Sequence, residues 1–180
     1  MVQLENIVTR EEQPQDYSAV ENLTEKAFAD LEISEHQEHL LVARLRNSDS
    51  FIPELSLVAE IGGNIVGHIL YSRAKFIAGE KEHITLALAP LSVHPDYQKN
   101  GIGSQLVLNS FKRAKKLGYA SIVIIGHPDY YPRLGCKLAA DYNLLTPFDV
   151  PRECFMIYEL QDGALSKLCG TLQYAPEFCI

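Results

Sequence analysis

Seven consecutive residues, Gln98-Lys99-Asn100-Gly101-Ile102-Gly103-Ser104, hold the chemistry that is easiest to read in this chain. Two glycines stand where an amphipathic helix begins. Glycine adopts positive φ and lets the main chain approach a ligand closely. The N–H groups of a helix's first turn lack intrahelical partners, and the helix dipole favours an anion in front of them. The pattern therefore describes a main-chain cradle for phosphate, with Lys99 adding charge. It is not a P-loop, because no Gly-Lys-Ser/Thr follows, and it is not a dinucleotide fingerprint, because the third residue after Gly103 is Leu106.

Two elements must position this turn. Leu86 to Val93 is apolar at nearly every residue and reads as a strand buried on both faces. Pro90 inside it cannot donate to a sheet ladder, which argues for a bulge or a splayed edge. After the turn, Leu106, Val107, Phe111, Ala114 and Leu117 form one helical stripe, and Gly118 ends the helix. Ala120 to Ile125 is a second buried strand, parallel to the first because a helix joins them. Both strands leave through the same tetrapeptide, His94-Pro95-Asp96-Tyr97 and His127-Pro128-Asp129-Tyr130, in which Pro fixes φ and Asp is the expected cap.

Strand, Pro95-x-x-Gln98-x-x-Gly101-x-Gly103, helix resembles the acetyl-CoA signature of the GCN5-related N-acetyltransferases (GNAT). The flanking Pro90-Leu91-Ser92-Val93-His94-Pro95 and the later GHPDYYPRLGC resemble a subgroup of small bacterial predicted N-acetyltransferases. The resemblance covers most of the chain and is strongest from Leu88 to Leu138. It implies an α/β fold, a mixed, splayed sheet of about seven strands with helices on both faces. It implies acetyl-CoA as co-substrate and transfer of its acetyl group to a primary amine by direct attack in a ternary complex. The cofactor-binding residues on this reading are Leu91, Ser92, Val93, Gln98, Lys99, Asn100, Gly101, Ile102, Gly103 and Ser104, with a backbone N–H at Leu91 to Val93 serving the thioester oxygen. Tyr131, four residues before Gly135, matches the tyrosine that protonates the leaving thiolate. The family's Asn after the fifth strand has no match, since Gly126-His127-Pro128 occupies that turn.

Other chemistry-bearing residues carry less. Glu82, His83, His94, His127 and Asp129 are candidates for the base that deprotonates the amine, and none is singled out. His36 and His39, three apart on an expected helix, read as a solvated face rather than metal ligands. Ser92, His94 and Asp96 are too close in sequence, with Pro95 between, to form a hydrolytic triad. Arg44 and Arg46 read as surface charges, with a lining of the acceptor pocket as the alternative. Cys136, Cys154, Cys169 and Cys179 show no metal or redox spacing.

Composition is that of a globular protein, with 47% hydrophobic and 22% charged residues. A net charge of −7 argues against nucleic acid as a partner. Five of the 16 Lys and Arg nevertheless lie between Lys99 and Lys116, beside the cradle. No apolar run approaches a membrane span and no signal peptide is visible, so a cytoplasmic enzyme without membrane partners is expected. Residues 1–180 read as a single N-acetyltransferase domain, with 161–180 as a packed C-terminal tail. A strand is expected from Leu4 to Thr9, helices from Asp16 to Ala29 and Ser34 to Arg46, and a hairpin of Leu55–Ile61 with Ile65–Ser72. A long loop is expected from Asp141 to Arg152. The acceptor amine is not legible, and a second copy of the chain is the candidate protein partner. The rival readings are a non-catalytic acyl-CoA-binding sensor and an interaction module.

Overall fold

A computed structural model of the chain describes residues 7–31 and 34–178. Its elements in chain order are β1 (Val8–Glu11), α1 (Tyr17–Phe28), α2 (Glu38–Arg46), β2 (Leu57–Ile61), β3 (Asn64–Ala78), β4 (Lys81–Val93), α3 (Ile102–Lys116), β5 (Ser121–Ile125), β6 (Lys137–Leu138), β7 (Leu144–Leu145), β8 (Phe155–Glu159) and β9 (Gly170–Gln173). The strands form a mixed sheet, β1-β2-β3-β4-β5-β8-β6, with β9 against β3 and β7 against β9. The chain divides into two compact units, Met1–Tyr71 with Ala89–Arg113, and Ser72–Leu88 with Ala114–Ile180.

The first unit is two-sided. Alternate residues of a strand face opposite ways, and β3 shows it at adjacent positions. At Gly67 an added Cβ would lie 3.0 Å from both Ile102 and Leu106, so α3 rests directly on the strand. His68, next along, faces Glu12 and Ser56 instead. The α3 contact is extended by Tyr71, whose hydroxyl lies 2.7 Å from Ser110 with both side chains fully buried. On the other face, Ser92 of β4 donates to Thr24 of α1 at 3.1 Å.

The second unit is built on β5. It pairs parallel with β4 at Leu86↔Ile122 and Ala87↔Val123, and antiparallel with β8 along its whole length. Its core gathers Phe76, Ala87, Val123, Phe155, Ile157, Leu165 and Leu172.

Several boundaries differ from those expected. β1 begins at Val8; Leu4 to Asn6 lie outside the described residues. α2 begins at Glu38 rather than Ser34, because His36 takes a left-handed φ of 58° that breaks the helix. The Ser34 hydroxyl accepts from His36 N at 2.9 Å and donates to Glu38 at 2.5 Å instead. β3 runs to Ala78, six residues beyond Ser72, because its alternation continues with Ala74 and Phe76 buried. Leu117 falls past the end of α3 and is exposed. The loop after Asp141 and the tail contribute β7 and β9, a parallel pair. β9 approaches β3 closely at Gly170, which has φ 107° and would place a Cβ 2.1 Å from Ile77 O. Within the tail, Leu165, Leu172 and Ala175 are buried. Among the described residues no helix is long and apolar enough to cross a membrane.

Candidate active site

The first unit carries the cradle. After β4, Pro95–Tyr97 makes one 3-10 turn, and the chain then passes through two left-handed residues, Lys99 (φ 61°) and Gly101 (φ 82°), into α3. Side chains brace the turn from within. Gln98 Nε2 donates to Val93 O at 3.1 Å, and Asn100 Nδ2 donates to Tyr97 O and Gln98 O at 3.2 and 3.0 Å. Gln98 and Asn100 thus act on their own loop through their side chains. The first intrahelical bond runs from Gln105 N to Gly101 O at 3.0 Å, so the N–H groups of Ile102 and Gly103 precede it and lead the helix. Gln98, Lys99, Asn100 and Gly101 are exposed, Gly103 and Ser104 half-buried, and Ile102 is buried against Gly67. Nothing lies within 4 Å of an added Cβ at Gly101, so the turn opens onto free space. The arrangement presents main-chain donors, a helix N-terminus and a lysine to an anion.

The end of β4 is anchored by His94 N donating to Val66 O at 2.9 Å. Leu91 and Val93 are half-buried, while Ser92 is fully buried with its hydroxyl engaged by Thr24. Ser92 is therefore left with its main chain for any ligand. The repeated tetrapeptide folds the same way twice, but histidine is the cap rather than aspartate. His94 Nδ1 accepts from Asp96 N at 3.3 Å, and His127 Nδ1 accepts from Asp129 N at 3.2 Å. Nδ1 of a neutral imidazole reaches the N–H two residues on, as an Asx side chain does in a turn.

The second unit carries Tyr131. It opens a short 3-10 helix, Tyr131–Leu134, closed by Gly135 at φ 94°. The ring is 6% exposed, packed edge-on to Tyr130 at 5.0 Å and seated on Gly126. Burial, then the neighbouring Tyr130 and Cys136, push its hydroxyl well above the usual phenol range, so it is protonated at neutral pH. Such a group is an acid, not a base. Burial likewise pushes the Cys136 thiol up to about 12, which removes it as a nucleophile.

The remaining candidates separate. Glu82 is exposed and paired with Lys75 at 2.8 Å. His36 lies outside any helix, with Nδ1 3.0 Å from Phe28 O, so the expected helical face with His39 does not form. Among the described residues no His, Cys, Asp and Glu cluster fits a metal ion. Arg46 is no surface charge. Its side chain is 3% exposed, pairs with Glu12 at 2.5 Å and Glu21 at 2.6 Å, and covers the Tyr17 ring at 4.0 Å. Glu12 also accepts from Ser56 at 2.6 Å, and this buried network was invisible in sequence. At Gly126, where the turn departs from the family's pattern, the ring of Tyr131 fills the space a side chain would take.

The acetyltransferase (GNAT) family model matches residues 13–135. The chain belongs to this family. It is 37% identical over 124 residues to the uncharacterized N-acetyltransferase YjhQ of Escherichia coli, covering 67% of this chain and 68% of that protein. It is similar throughout to YhbS of E. coli, an N-acetyltransferase whose crystal structure in complex with CoA superposes with a TM-score of 0.86 at 27% identity, covering 96% of this chain and 91% of that one. A Brucella melitensis GNAT family acetyltransferase crystallised with acetyl-CoA gives a TM-score of 0.79 at 28% identity, covering 96% and 98%. The GNAT fold expected from the signature is thus the fold present. Its strand count rises to nine among the described residues through β7 and β9.

Proposed function

We propose that this chain binds acetyl-CoA through the turn from Gln98 to Ser104 and transfers the acetyl group to a primary amine. The observation that carries the reading is the open, left-handed turn at Lys99 and Gly101, which feeds straight into the N-terminus of α3. Solved relatives in complex with CoA and acetyl-CoA support it. Acetyl-CoA supplies an activated thioester. In the first unit, the N–H groups of Gly101, Ile102, Gly103 and Ser104 bind phosphate oxygens, Lys99 adds charge, and Gln98 and Asn100 hold the turn's shape. Leu91, Ser92 and Val93 offer main-chain groups, with one N–H donating to the thioester oxygen as it gains charge. In the second unit, Tyr131 donates its proton to the departing sulfur. Burial keeps that hydroxyl protonated at neutral pH, so a proton stands ready beside the forming thiolate. The amine attacks directly: its N–C bond forms as the C–S bond breaks, its proton passes to solvent, and burial pushes the Cys136 and Cys154 thiols up, away from a nucleophile's range.

The two units act as one N-acetyltransferase domain on this reading. The enzyme is cytoplasmic, requires no nucleic acid, and a second copy of the chain is its candidate partner. The experiment is a thiol-release assay with acetyl-CoA and a panel of primary amines, including small polyamines, amino-glycosides and lysine peptides. Amine-dependent CoA release that falls in the Tyr131→Phe variant supports the reading. Acetyl-CoA binding without turnover on any amine favours a sensor.

A further inference from the structure

Gly126 follows β5 directly, and its N–H donates to Cys154 O at 3.0 Å. The preceding residue, Ile125, is paired with Phe155 in the sheet. Its main chain is therefore fixed from one side. On the other side sits the Tyr131 ring. A Cβ built on Gly126 would fall 2.2 Å from Cε2, 2.8 Å from Cδ2 and 3.2 Å from Cζ of that ring. These atoms form the ring edge that ends at the carbon bearing the hydroxyl. The opposite constraints are as firm. Tyr130 packs edge-on against the ring at 5.0 Å, and Tyr131 O accepts from Cys136 N at 3.2 Å. A side chain at position 126 and the Tyr131 ring thus claim the same volume.

We propose that Gly126 is a positioning residue for the Tyr131 hydroxyl: the absence of a side chain at 126 is what lets the ring lie where its proton is delivered. The inference rests on the proposed role of Tyr131. To admit one methyl, the closest ring carbon must retreat from 2.2 Å to ordinary contact, more than about 1 Å, and a displacement of that size costs about 100-fold in rate at a reacting group.

The test is a double-variant cycle read in kcat and in KM for acetyl-CoA. Gly126→Ala is expected to lower kcat by as much as Tyr131→Phe does, with KM for acetyl-CoA within about twofold of wild type. Added to Tyr131→Phe, it is expected to lower kcat no further, because no hydroxyl is left to misplace. Losses that multiply overturn the inference, as does wild-type kcat in Gly126→Ala while Tyr131→Phe is impaired. Full kcat in Tyr131→Phe overturns the role of Tyr131 itself and the inference with it. Should Gly126→Ala fail to fold, Tyr131→Leu is added to remove the ring. Recovery of the folded state shows that the two groups compete for one space, and continued misfolding overturns the inference.

Discussion

Replacing Arg46 with methionine tests the buried network most sharply. Methionine keeps an unbranched apolar stem and removes the guanidinium. In the wild type that group meets Glu12 at 2.5 Å and Glu21 at 2.6 Å with 3% of its side chain exposed. Glu12, itself 1% exposed, would keep Ser56 at 2.6 Å and His68 at 3.6 Å. Ser56 is already committed as a donor to Glu12, and His68 Nε2, 3.2 Å from Ser56 Oγ and 3.6 Å from the carboxylate, stays beside it but does not fill the place of the guanidinium. Breaking one side of a buried pair costs about 3–5 kcal/mol, against a whole-domain stability of about 5–15 kcal/mol. With a urea m-value of about 2 kcal/mol/M, the midpoint should fall by about 2 M. Removing the second charge as well, in Glu12→Gln/Arg46→Met, should restore more than half of that loss.

The acid limb gives an independent reading of the same network. Burial pushes the Glu12 carboxyl up, but the His68 imidazole, then Arg46 and Ser56, outweigh it and hold it at about 2, below its usual 4.5. A carboxyl depressed on folding contributes stability above its unfolded pKa, and that contribution is lost as pH falls through the folded value. Wild-type stability should therefore drop between pH 4.5 and about 2, by on the order of 3 kcal/mol. In Arg46→Met the Glu12 carboxyl is depressed less, so the drop below pH 4.5 should be smaller than in the wild type. A single-variant loss below about 1 kcal/mol, or losses for the two variants that simply add, would refute the reasoning.

Three further outcomes are expected. Tyr131→Phe should lower kcat by about tenfold or more at every pH from about 6 to 9, because a buried phenol raised above its usual value does not titrate there; a basic limb present in wild type and missing from the variant would contradict this. Gly170→Ala should destabilise by about 2 kcal/mol or more in thermal unfolding, since φ 107° and a Cβ 2.1 Å from Ile77 O both exclude it, and a wild-type Tm would show that β9 does not depend on that approach. In native protein at pH 8, iodoacetamide should label Cys169 and spare Cys136, which is buried with its thiol pushed up to about 12; equal labelling would mean that the Tyr131 region opens freely.

What could be read from sequence follows from how local the signals are. The turn from Gln98 to Ser104 is contiguous, so two glycines, a proline and a periodic helix make its position between strand and helix legible. The parallel pairing of β4 with β5 followed from the helix between them. The end of β3 is harder to read, although Arg73-Ala74-Lys75-Phe76 keeps a strand's alternation, because its partner β9 lies about a hundred residues on. β9 itself carries threonine and glutamine on its exposed positions and one buried leucine, too little for a strand signal. Arg46 looked like a surface charge because its partners come from α1 and from the segment after β1; only tertiary structure gathers them. The histidine caps were hidden because Asp is the commoner cap, and sequence alone could not rank the two. Gly67, alone inside a strand, did carry a signal: an isolated glycine there marks close backbone approach, and α3 is what approaches.

The central claim is that the turn from Gln98 to Ser104 holds the phosphates of acetyl-CoA. Calorimetric titration of the purified protein with acetyl-CoA, beside a Gly101→Glu variant, tests it directly. Gly101 has φ 82° and faces open space, so the glutamate both strains the turn and places a negative charge before the helix N-terminus. Micromolar binding by the wild type that disappears in a folded variant is the predicted result. Equal affinity in the two proteins, or no binding by a folded wild type, would contradict the account.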